Sequence, residues 1–213
     1  MRIVNRAAVV IVAALAMLVG LTMPASATGK TSHLGTRSLA TVLAKDGSGF
    51  DRNWNDFDIT DNAVAAVLAA KPNSPVAVLA DGKTPLTAFL PTDRAFRRLA
   101  QDLTGKRYRS EKAVFTDLAT QLGVDTIESV LLYHVVPGAT ITYKQALRSN
   151  GAVLTTALAG STVRVKVLRH HRIALVDADR NDTNPLIVRV NINKGNVQIA
   201  HGIDRVLRPV DLP

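Results

Sequence analysis

The chain has 213 residues, with 26 Lys and Arg against 17 Asp and Glu for a formal net charge of +9, 47% apolar residues, 4% aromatic residues and no cysteine. The length suits one domain with its own core. Lack of cysteine excludes a disulfide framework, a thiol nucleophile, a cysteine metal site and a lipid-modified cysteine, and the low aromatic content predicts a core of Val, Leu, Ile and Ala.

Arg2 and Arg6 precede an apolar run over 7–21 that stops near Pro24, and Ala25-Ser26-Ala27 supplies a small-x-small sequence. These are the parts of a secretory signal peptide over 1–27, and the run is shorter than the roughly 20 residues a spanning helix needs. Cleavage after Ala27 is expected to remove two basic residues and no acid. It leaves a basic protein without a transmembrane segment, secreted or held peripherally at the cell envelope. Residues 28–37, rich in Thr, Ser, Gly and Lys, read as a flexible leader before a single domain over 38–210.

Ser38 caps a first helix. Between Asp46 and Asp61 acids dominate, and Phe50, Trp54 and Phe57 recur at i, i+4 and i+7, which predicts one aromatic face on a helix or compact loop, stapling the excursion to the core. Asp61 or Asn62 caps a helix through Ala70, ended by Lys71-Pro72-Asn73-Ser74-Pro75, because a proline pushes its predecessor out of helical geometry. Thr92-Asp93 starts another helix, Ser110-Glu111 a further one, and Asp125 a third that runs to His134. Beyond Pro137 the character changes: 161–177, 187–192 and 196–207 are rich in Val and Ile with period-two stretches. Helices followed by strands, without alternation, give an α+β class.

Several motifs fail on inspection. Gly29-Lys30-Thr31 ends like a phosphate loop, but Pro24 stands where the first glycine belongs. Asp177, Asp179 and Asn181 occupy the first calcium-loop positions, yet Asp182 and Val188 replace the required glycine and carboxylate; Asp51, Asn53 and Asn55 fail likewise, with Asp56 and Asn62. Turn-forming Asp and Asn explain both places, with an irregular calcium site as the alternative. No Gly-x-Ser-x-Gly elbow or His-Glu-x-x-His helix occurs. Neighbouring His170 and His171 would point to opposite faces of a strand, unsuited to one metal. No metal and no cofactor are expected.

Arg164, Lys166, Arg169 and Arg172 lie in an acid-free stretch where Val163, Val165 and Val167 alternate with the first charges, so one face is buried and the other positive. A second cluster, Arg94, Arg97, Arg98, Lys106, Arg107, Arg109 and Lys112, is offset by Asp102 and Glu111. A solvated face is the simplest account of both. As a binding surface, the patches fit acidic polysaccharide or cell-surface phosphate, not nucleic acid, since no aromatics are interleaved for base stacking.

Three segments together resemble the fasciclin (FAS1) domain, in its secreted single-domain bacterial form. They are Thr87-Ala88-Phe89-Leu90-Pro91-Thr92-Asp93-Arg94-Ala95-Phe96, then Leu131-Leu132-Tyr133-His134-Val135-Val136-Pro137-Gly138, and finally 196–209 with Ile199-Ala200-His201-Gly202-Ile203-Asp204-Arg205-Val206-Leu207. The resemblance covers 38–209. It implies a helical layer on a strand-rich β-wedge, an extracellular adhesion module, no catalytic residues, and both a packing and an adhesive role for Tyr133 and His134. The excursion over 47–58 is longer than a minimal domain needs, and Ala200 replaces a larger apolar residue. The expected function is therefore adhesion to a cell-surface or matrix component, a protein or an acidic polysaccharide. The alternatives are a carrier with Phe50, Trp54 and Phe57 at the mouth of an apolar site, and an extracellular hydrolase using His134 or His201.

Overall fold

A computed structural model describes residues 33–47 and 49–210. The expected signal peptide and residues 28–32 of the expected leader lie outside them. Within that leader, Gly35 bridges to Asn196, and Arg37 donates from its amide to Asn196 Oδ1 (3.0 Å) and from Nε to Asn193 Oδ1 (2.9 Å), so the chain is tied down before Ser38. Ser38 then accepts from the Thr41 amide and starts helix α1 (Leu39–Leu43).

Helix α2 (Asp58–Ala70) begins earlier than Asp61 and Asn62 suggest. Its cap is not local: the Asp58 and Ile59 amides donate to Asp93 Oδ2 (3.3 Å) and Oδ1 (2.8 Å). An acceptor that distant in sequence satisfies the orphan amides of a helix start as well as a neighbouring Ser or Asp does. Helix α3 (Val78–Asp81) follows a 3-10 turn at Pro75–Ala77. Strand β1 (Leu86–Pro91) leads directly into α4 (Asp93–Thr104), where Thr92 Oγ1 accepts from the Ala95 amide at 3.3 Å. Helix α5 (Glu111–Tyr133), capped by Ser110, is interrupted at Gly123 (φ 70°, ψ 166°), which separates the helical segments read from Ser110 and from Asp125.

Strand β2 (Val135–Pro137), helix α6 (Tyr143–Ala146) and strands β3 (Val153–Thr155), β4 (Thr162–Val167), β5 (Ile173–Val176), β6 (Ile187–Ile192) and β7 (Gln198–Ile203) complete the chain. One sheet has the order β2-β1-β7-β6; the other is β3-β4-β5. All pairs are antiparallel except β1 with β7, which run parallel from Leu86 opposite Gln198 to Pro91 opposite Ile203. β1 thus lies among helices in sequence but pairs with the last strand. Both strands are buried along their whole length, as expected for a parallel pair covered on both faces.

On one face, Leu86, Ala88, Leu90 and Ala200 meet Leu39, Val64, Val67 and Leu79 of the helical layer. On the other, Phe89 and Ile203 meet Val163, Val165, Ile173 and Leu175 of the second sheet, forming the wedge. A third cluster joins Ile59, Phe96, Leu99, Val114 and Leu118, with Phe50 and Trp54 packed on it. Fold class and layering are α+β as read from the sequence.

The aromatic excursion is the compact loop of that reading and is stapled to the core, but not through one face. Residues 50–57 form turns and bends, and Phe57 packs on the first cluster while Phe50 and Trp54 pack on the third. The three rings therefore share no face. Arg97 lies 4.3 Å over Trp54 and Arg189 5.5 Å over Phe57. Phe57 also explains Gly202, where an added Cβ would lie 3.1 Å from Phe57 Cζ and 2.9 Å from Arg189 Cβ. Among the described residues, no helix is long and apolar enough to cross a membrane.

Asp93→Ala is expected to lower the unfolding free energy in urea by about 2–4 kcal/mol, by leaving two buried amides without an acceptor. Asp93→Asn keeps an acceptor and is expected to lose less than half of that; equal losses would contradict the distant cap.

Candidate functional site

Tyr133 and His134 stand where α5 meets the sheets, and both are buried, at 1% and 4% exposure. The Tyr133 hydroxyl donates to the Thr162 carbonyl (3.0 Å) and accepts from the Ala178 amide (3.1 Å). It thereby ties together the start of β4 and the residues just after β5. Burial, with the Asp177 carboxylate nearby, pushes this phenol up to about 12.

His134 Nε2 accepts from the Leu207 amide (2.9 Å), so its proton sits on Nδ1 and is donated to the Val130 carbonyl (2.7 Å). The His134 carbonyl accepts from the Phe89 amide (2.9 Å). One neutral residue therefore joins α5, β1 and the segment after β7. Desolvation pushes the imidazole down to about 4. His201 is similarly enclosed: Nδ1 accepts from the Asn191 amide (3.3 Å), Nε2 meets the Ile141 carbonyl (2.9 Å), and burial lowers its pKa. Both nitrogens of each ring are engaged with the backbone. The apolar cavity between Phe89, Val165, Leu175 and His201 holds about 50 Å³, far less than the roughly 300 Å³ at which small-molecule sites begin.

The basic residues of β4 fall as their alternation predicts. Val163 and Val165 are buried, whereas Arg164 and Lys166 are exposed. Arg169 and Arg172 are exposed at the tip of the β4–β5 hairpin. His170 and His171 sit in that tip with φ of 57° and 55°, a left-handed turn, not the strand expected from sequence. The Tyr143 hydroxyl donates to the His171 carbonyl (2.5 Å) and braces the tip. None of the four basic side chains enters an ion pair among the described residues. Arg164 continues into a groove of about 650 Å³ lined also by Tyr133, Arg180, Asp177, Asp179 and Asp182.

Three members of the second basic cluster are partnered within the fold. Arg98 donates to the Asp204 carbonyl (2.7 Å), Lys106 pairs with Asp117 (3.0 Å), and Arg97 is taken up by Trp54. Asp102 turns to Arg208 (2.7 Å), a buried guanidinium that also meets Asp179 and Asp182 at 3.2 Å each. Glu111 does not offset this cluster at all. It is fully buried beside Asp56 and Asp93, and one carboxylate oxygen from each of the three lies within 4.8 Å of the others. Desolvation and a side-chain hydrogen bond with Asp56 push Asp93 up to about 9, and desolvation beside the Asp51, Asp56 and Asp58 carboxylates pushes Glu111 up to about 7. Nothing in the local sequence signals this convergence, because Asp93 and Glu111 read as ordinary first-turn acids.

A helical layer on a two-sheet wedge, with its tyrosine and histidine spent on internal bonds, defines an α+β domain. A model of the fasciclin domain matches residues 60–209, and the chain belongs to that family. Among solved structures it is similar to the FAS1 domain pair of the insect cell adhesion molecule fasciclin I, with a TM-score of 0.50 and 18% identity, over 72% of this chain and 48% of that chain. It spans about half of that chain's length, and the likeness concerns the fold. No curated protein sequence matches the chain. Fasciclin domains as a family are adhesion and interaction modules.

The His134 environment has a consequence for stability. A folded-state pKa of about 4 lies below the ordinary 6.5, so the unfolded chain takes up a proton over that interval and the folded chain does not. The contribution is complete above pH 6.5 and is lost as the pH falls towards 4. The stability advantage of the wild type over His134→Gln is expected to shrink by about 3 kcal/mol between pH 7 and pH 4. In NMR titrations the His134 ring signals should stay constant from pH 8 to pH 5.

Proposed function

We propose that this protein is a secreted fasciclin interaction module that adheres to an acidic cell-surface or matrix polymer, an acidic polysaccharide above all, through the β4–β5 hairpin. The observation that carries this reading is the outward row of Arg164 and Lys166, extended by Arg169 and Arg172 at the tip, none of which enters an ion pair among the described residues. Secretion rests on the n-region, apolar run and cleavage sequence at the N-terminus. Tyr133 and His134 act in this reading from within: the Tyr133 hydroxyl fixes both ends of the hairpin, and His134 fixes α5 against β1. Neither needs to touch the partner. The groove beside Arg164 is also lined by Ser161, Thr162 and Asn184, neutral polar groups suited to sugar hydroxyls, which favours a polysaccharide over a simple phosphate surface.

The test is retention on acidic and neutral polysaccharides and on isolated envelopes while salt is titrated. Retention on the acidic supports is expected to fall with salt, since exposed charge contacts are screened. Reversing Arg164, Lys166, Arg169 and Arg172 to Glu should weaken it by about tenfold or more. Reversing Lys106, which is already paired with Asp117, should have a smaller effect. Retention untouched by the hairpin reversal would overturn the proposal.

A further inference from the structure

The excursion over 47–58 lies outside the residues that match the family model, and it brings its own carboxylates to two that lie within the match. The carbonyls of Trp54 and Asp56 accept from the Arg94 (2.9 Å) and Asp93 (3.1 Å) amides, while Asp93 caps α2 in return. Glu111 Oε2 accepts from the Asp51 amide (2.8 Å). These reciprocal bonds seat Asp56 against Asp93 and Glu111. They also bring Asp51, Asp56 and Asp58 into a second triad that shares Asp56, with Asp51 on the exposed side.

Two of the enclosed oxygens, Asp56 Oδ1 and Glu111 Oε1, have no hydrogen-bond partner, although Asp56 is 4% exposed and Glu111 fully buried. A buried anionic oxygen without a partner costs several kcal/mol. No Lys or Arg is paired with Asp56, Asp93 or Glu111 among the described residues. Oxygens held at about 2.4 Å from a common ion cannot stand more than about 4.8 Å apart, and the limit is met here. All the donors are hard carboxylate oxygens, without nitrogen or sulfur, which selects calcium, magnesium or manganese over zinc or copper. The irregular loop and the number of carboxylates suit the looser calcium geometry better than a strict octahedron.

We propose that Asp56, Asp93 and Glu111 bind a divalent cation, calcium by preference, with Asp51 at the open side of the site. The ion would fasten the acidic excursion to the start of α4 and of α5. The site thus joins carboxylates that precede the family match to two acids within it, and is independent of the basic hairpin.

The protein contains a single tryptophan, Trp54, within the excursion itself, so terbium bound as a calcium surrogate would be sensitised by excitation of that indole. EDTA-treated protein should give saturable terbium emission that calcium displaces, and calcium should raise its melting temperature. Glu111→Gln retains an acceptor for the Asp51 amide, and with Asp56→Asn is expected to weaken terbium binding by about tenfold or more. Asp51→Asn, at an exposed position, serves as the variant whose folding is not in question and should also weaken binding. Emission that is absent, or equal in the wild type and all three variants, overturns the proposal. So does a melting temperature indifferent to calcium combined with Glu111→Gln and Asp56→Asn proteins more stable than the wild type, because the cluster is then held by protons alone.

Discussion

The neutral imidazole of His134 is the joint on which the architecture depends. Its Nδ1 proton closes α5 on Val130, its Nε2 receives the Leu207 amide after β7, and its carbonyl receives the Phe89 amide of β1. Those three segments lie far apart in sequence, and the parallel β1–β7 pair between them is covered by helices on one side and by the second sheet on the other. A pair buried on both faces requires that its side chains be apolar or fully bonded. His201 and Gln198 of β7 meet that requirement through bonds to Asn191, Ile141, Leu39 and Val78. Charging the imidazole would remove the acceptor for Leu207 in a fully buried site, and burial holds its pKa low.

Where a structural cause is local, the sequence announces it. Ser38, Thr92 and Ser110 each cap the helix that immediately follows, and the alternation of Val163, Arg164, Val165 and Lys166 matches the two faces of β4. Where the cause is tertiary, the same residue types mislead. Asp61 and Asn62 look like the start of α2, but Asp93 supplies the acceptors and moves the start to Asp58. Phe50, Trp54 and Phe57 have helical spacing, yet turns send them to different clusters. Glu111 reads as a counter-charge for neighbouring arginines, and its carboxylate is instead buried with two others. Periodicity and propensity report short-range preference, whereas a hairpin tip such as His170-His171 or a buried carboxylate cluster depends on what the rest of the chain brings to it.

Framework and surface are thus divided in a simple way. The residues that identify the family are largely interior: Phe89, Phe96, Tyr133, His134 and His201 are all buried. Their polar atoms are committed to backbone partners, as with the Tyr133 hydroxyl that spans Thr162 and Ala178. The β4–β5 hairpin presents cations that enter no ion pair among the described residues, while the acidic excursion turns Asp56 and Asp58 inward and is stapled by aromatic contacts with Arg97 and Arg189. The basic protein thus combines an acidic interior corner with a cationic tip.

The central claim, that the contact surface is the cationic hairpin and the tyrosine-histidine block its internal support, is tested most directly by mapping amide exchange with and without a bound acidic polysaccharide. The account predicts slowed exchange over residues 162–172 and along the groove at 176–182, with the amides of Tyr133, His134 and Leu207 equally protected in both states. Slowing confined to the α4 cluster, or a change centred on Tyr133 and His134 with the hairpin unaffected, would contradict it.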